Sequence, residues 1–79
     1  MNKLAVTQKG VQLALKLAEA AATMRVSPIS SSDSAIAQLL KIADPEGYEQ
    51  VKDKGPEEVA GLVRIMLAML ALHPELHPN

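Results

Sequence analysis

His73 and His77 are the only imidazoles in the chain, and their four-residue spacing would put both on one face of a helix, where a metal could bridge them. Pro74 and Pro78 directly follow them and break the regular helix such a pair needs. Glu75 is the one neighbouring ligand of the usual types. With no cysteine and no third histidine, the three or four ligands of a zinc site are not assembled, so no metal is expected. The serines offer no hydrolytic nucleophile either: there is no G-x-S-x-G elbow, and both histidines lie in the tail. Glu57 and Glu58 follow Pro56 in the first turn of an expected helix, where acids meet the positive end of the dipole. Glu46 and Glu49 sit in a similar short helix. None of these carboxylates is paired in an apolar cleft, and the reading is that the chain is not an enzyme and carries no cofactor.

The polar cluster with the most chemical content is Arg25 with Ser27, Ser30, Ser31, Ser32 and Ser34, between one helix end and the start of the next. Hydroxyls, free backbone N–H groups and a guanidinium at a helix start suit a phosphate-bearing or nucleotide-like ligand, which makes Arg25, Ser30, Ser31 and Ser32 the candidate ligand residues. The plainer account of the same residues is a loop and an N-cap, with Arg25 as a favourable cation at a helix C-terminus. No glycine-rich phosphate loop is present.

Nucleic acid is disfavoured. Tyr48 is the single aromatic residue and cannot form a stacking platform, and the net charge of the 79 residues is −1. Charge is nonetheless split: residues 1–26 carry Lys3, Lys9, Lys16 and Arg25 against Glu19, net +3, and residues 27–79 carry four cations against eight acids, net −4. Attraction between these halves, within the fold or across a dimer, is expected.

The elements that must position these residues are helices in one domain, 1–79. Residues 7–26 place Gln8, Gln12, Lys16, Glu19 and Thr23 on one narrow polar stripe, leaving the rest of the helix apolar or small. Ser27-Pro28 ends it. Ser31 or Ser32 caps a second helix, 33–43, and Asp44-Pro45-Glu46 opens a third, 45–52, weakened by Gly47. Pro56-Glu57-Glu58 opens the fourth, 56–73, which stops at Pro74. On that helix Glu57, Gly61, Arg64, Ala68, Ala71 and Glu75 align on one side, and large apolar residues fill the others. The apolar run Val59 to Leu72 is 14 residues long and contains Arg64, short of the roughly 20 apolar residues a bilayer span needs. Gln8, Lys9 and Gln12 interrupt any signal-peptide core near the N-terminus, and a cytoplasmic location is expected.

The fold expected is all-α, two long helices and two short. A chain this small buries only about 60% of its unfolded surface, and it has neither disulfide nor metal to reinforce it. Helices apolar on nearly all sides cannot both be sheltered by two short ones, so a homodimer through the first or fourth helix is expected. The function that follows is a small non-enzymatic protein–protein interaction module that binds and modulates another protein, an inhibitor or regulator of bacterial or phage type. Met66 and Met69 form its adaptable apolar patch, flanked by Arg64, with Tyr48 as a further partner-binding candidate. Two alternatives stand beside it: an oligomer sequestering a phosphate-bearing ligand near Arg25 and the Ser30–Ser34 loop, and a structural subunit of a larger assembly.

Overall fold

A computed structural model describes the backbone of residues 3–76 and the side chains of residues 8–75. The fold is all-α: helices α1 (Lys3–Met24), α2 (Asp33–Ala43), α3 (Pro45–Val51) and α4 (Pro56–Leu72), with short 3₁₀ turns at Lys52–Lys54 and Pro74–Leu76 and no strand among the described residues. At 1.5 Å per residue the 22 residues of α1 span about 33 Å, which accounts for the 34 Å long axis of the molecule. α2 packs on α4, α1 and α3, its most extensive pairing being with α4, and α1 also lies against α4.

The core follows the helical period. Ala14, Leu17 and Ala21 of α1, Ile36, Ala37, Leu39 and Leu40 of α2, and Val59, Ala60 and Val63 of α4 are buried, with Leu70 closing one end of α4. The predicted polar stripe of α1, from Gln8 to Thr23, is exposed along its whole length. No polar or charged side chain is buried among the described residues, so the interior is held by apolar packing alone.

What ends each helix is local. α1 stops at Met24, two residues before the expected boundary, because Arg25 turns into the left-handed region at φ 57°. The Val26 N–H then donates to the Ala21 carbonyl at 2.9 Å and the Arg25 N–H to Ala22 at 3.3 Å. This is a Schellman ending, with arginine where glycine is usual, and Val26 packs against the core as its apolar closure. Ser32 caps α2, its Oγ accepting from the Ala35 N–H at 3.2 Å. Asp44 serves two helices. Its N–H donates to Leu40 at the end of α2, and its Oδ1 accepts from the Gly47 N–H at 3.1 Å at the start of α3. That carboxylate sits so close over α3 that a Cβ on Gly47 would overlap it where it stands, so a larger residue there needs the flexible Asp44 side chain to shift. Gly55, at φ 97°, makes the turn that admits Pro56 at the first position of α4.

Candidate functional site

Two regions hold the predicted site residues. The first is the loop after α1. Its hydroxyls are engaged locally: Ser31 Oγ accepts from the Ser27 N–H at 2.9 Å, and Ser27 Oγ accepts from the N–H groups of Ile29 at 3.2 Å and Ser30 at 3.3 Å. Ser32 Oγ is the α2 cap. Of the candidate ligand residues, Arg25 and Ser30 are exposed and make no side-chain hydrogen bond or ion pair among the described residues, whereas Ser31 and Ser32 already serve backbone N–H groups. Ile29 at the loop tip is 92% exposed.

Arg64 joins this loop to α4. Its Nε donates to the Pro28 carbonyl at 2.9 Å, and its guanidinium stands 2.9 Å from Asp33 Oδ1 in the first turn of α2. The residue set beside the apolar patch in the sequence is thus engaged inside the chain, pinning the loop between α1 and α2 onto α4. No spacing rule foretells that contact, since the partners are 36 residues apart.

The second region is the outward face of α4. Val59, Ala60, Val63 and Leu70 face the core. On the opposite side, with 100° per residue, Glu58, Gly61, Leu62, Ile65, Ala68, Met69 and Leu72 fall within about 60° of a line through Ile65. The exposed face is therefore wider than the small-residue row expected on this helix, and its centre is a large apolar residue. Ile65 is 68% exposed, Leu72 76% and Leu62 42%. Met69 is half-buried, and Met66 is half-buried with its packing turned to the core. Tyr48 likewise packs against the core edge, with Lys41 Nζ 6.0 Å from its ring centre.

Two depressions flank this face. A mostly apolar groove of about 290 Å³ runs between α4 and the α1–α3 side, its lining including Leu13, Leu40, Val51, Leu62 and Met66 together with Asp44 and Gln50. A hollow of about 380 Å³ lies at the N-terminal end of α4, lined by Lys54, Glu57, Glu58, Gly61, Leu62 and Ile65. Gly61 opens onto that hollow: a Cβ placed there would meet no atom within 4 Å. The helix thus carries a residue about 1 kcal/mol poorer than alanine at a position where the chain itself has no steric need for it.

Lys52 is raised above the ordinary lysine value by its hydrogen bond to Glu49, whose Oε1 is 2.6 Å from Nζ, and by the charge of that carboxylate. Glu75 is lowered by a hydrogen bond from its own backbone N–H and by His73, whose Nδ1 is 3.1 Å away. Both shifted groups are exposed, and neither lies in a cleft. The ion pairs among the described residues, Lys52–Glu49, Arg64–Asp33 and His73–Glu75, all fall within residues 27–79, so none of them joins the basic first segment to the acidic remainder. His77 lies outside the described residues. Among those described, no group of three or more histidine or acidic side chains could hold a metal, and no helix is long and apolar enough to cross a membrane.

Comparison with known proteins returns no match, whether against family profiles, characterised sequences or solved structures.

Proposed function

We propose that the chain is a non-enzymatic protein–protein interaction module whose working surface is the outward face of α4. The observation that carries this reading is the coincidence, on one helix, of a complete buried face and a second apolar stripe centred on Ile65. A monomeric surface helix has one such stripe, and scattered apolar residues need no explanation, but a contiguous stripe flanked by an apolar groove marks a contact surface. Met69 lies within the stripe, and a flexible thioether there suits a surface that adapts to what it meets. Arg64 contributes indirectly, holding the preceding loop against the helix that bears the surface. A partner covering this face could be another copy of the chain, as the size of the domain favours, or a different protein whose activity the module modulates.

A photo-crosslinking amino acid at Ile65, with the same group at exposed Gln38 of α2 as control, tests the reading in cells expressing the full chain. The expected result is one dominant adduct of defined mass from position 65, absent from position 38. Equal, diffuse labelling at both positions would remove α4 as the working surface.

A further inference from the structure

We infer that the occupant of the α4 face is a second copy of the chain, its α4 running antiparallel across a two-fold axis at Ile65. The inference rests on reading that face as the docking surface and adds who docks and in which register. Its first support is the order of the residues themselves. Pairing Ile65 with its copy places Leu62 opposite Met69, Gly61 opposite Ala68 and Glu58 opposite Leu72, each pair occurring twice by symmetry. At the centre of the contact large side chains then meet large ones along one edge and small meet small along the other, with Glu58 and Leu72 meeting at its two ends. The second support is Gly61, which, like Gly10 of α1, has no atom within 4 Å of the place a Cβ would take but lies within the apolar stripe itself. Set against Ala68 of the second copy, it lets the two helix backbones approach closely on that edge.

The third support is charge and shape at the ends. In a parallel pair Glu58 would face its own copy, and the positive ends of both helix dipoles, with Glu57 and Glu58 on each, would lie together. The antiparallel register separates Glu58 from its copy by about 21 Å at 1.5 Å per residue and sets the dipoles head to tail. It sets Lys54 of one copy toward Glu75 of the other at an end that also holds Glu57 and Glu58, so the net charges there do not favour the pairing and the dipole arrangement carries this support. The hollow at Lys54, Glu57, Glu58 and Gly61 then lies where Leu72 of the second copy arrives, giving the most exposed large apolar side chain of α4 a place to be buried.

The chain has no cysteine, so single cysteines report the register without background. Facing helix axes 8–10 Å apart bring the two copies of position 65 within the Cα span of a disulfide, about 4.4–6.8 Å, whereas the two copies of position 62 are offset by about 9 Å along the axis. The experiment is light scattering behind a sizing column, from low micromolar to near millimolar chain, with mild oxidation of cysteine variants of the full protein. The expected results are twice 8.4 kDa for the native chain, a covalent dimer from Ile65→Cys, none from Leu62→Cys alone, and one from Leu62→Cys mixed with Met69→Cys. Ile65→Asp should return the mass to a single chain with helical content unchanged. A dimer in which Leu62→Cys crosslinks to itself, or Ile65→Cys does not, overturns the antiparallel register. A monomer at every concentration overturns the second copy: with a foreign adduct at position 65 the interaction reading survives alone, and with no adduct both fall.

Discussion

Replacing Gly61 by alanine should move two measurements in opposite directions. Within one chain the new methyl meets nothing, since no atom lies within 4 Å of the position it would take. The helix gains the propensity difference between glycine and alanine, about 1 kcal/mol. In a domain of this size that raises the melting temperature by roughly 4–8 °C. Across the two-fold axis the same methyl presses on Ala68 of the other copy, and symmetry makes the insertion twice. At about 1 kcal/mol for each overpacked site the pair loses about 2 kcal/mol, a weakening of roughly thirtyfold in dissociation constant. Urea unfolding at concentrations where the chain is monomeric reads the first effect, because self-association would otherwise add its own stabilisation. A dilution series followed by light scattering reads the second. Gly10→Ala is the control: Gly10 also has no neighbour within 4 Å, so it should show the same gain in stability and no change in association. A monomer destabilised by Gly61→Ala would mean that space is filled from within the chain, and an unchanged dissociation constant would remove the close approach from the argument.

Four further outcomes follow from the helix ends and the exposed charges. Arg25→Gly should stabilise the fold by about 1 kcal/mol in chemical denaturation, because glycine occupies the left-handed Schellman position without strain; loss of stability would show that the arginine side chain holds the turn. Ser32→Ala should cost about 1 kcal/mol by removing the α2 cap, and a shift under a few tenths would mean water replaces it. Arg64→Leu should speed amide exchange across residues 27–32 while costing only about 1 kcal/mol, since a half-exposed ion pair is screened by solvent; slow exchange in that loop would deny the guanidinium its tethering role. Stability should vary with pH through two exposed pairs. The Glu75 contribution, from a lowered pKa, is present above the ordinary carboxylate range and lost as pH falls through its folded value, whereas that of Lys52, from a raised one, is present below the ordinary lysine value and lost as pH rises through its folded value. Thermal melts in the acid and alkaline ranges read the two contributions, and a melting temperature unmoved at both ends would deny these pairs a share in folding.

Helix placement was legible because it depends on neighbours in sequence. The polar stripe from Gln8 to Thr23, a serine cap at Ser31 or Ser32 (Ser32 in the fold) and the Asp44-Pro45-Glu46 start each read onto an element. The excess apolar character of α4 was also visible, but not which of its faces is core, because both faces satisfy a helical period and only packing against α2 decides between them. The end of α1 was misplaced by two residues because arginine gives no hint of a left-handed backbone. Gly47 looked like a defect until the Asp44 carboxylate was seen above it. Arg64 looked like part of a patch because a non-local hydrogen bond to Pro28 leaves no mark in residue spacing.

The Asp44–Gly47 pair has an evolutionary consequence. A bulkier residue at position 47 makes the Asp44 carboxylate shift from where it stands, and loss of that carboxylate removes the cap, so each position bears on the other. The two positions form a single unit of variation. Related chains with a larger residue at position 47 should turn the Asp44 carboxylate aside or carry a smaller capping side chain, while the purely apolar interior around Leu17, Ile36 and Val63 is free to exchange one hydrophobic side chain for another.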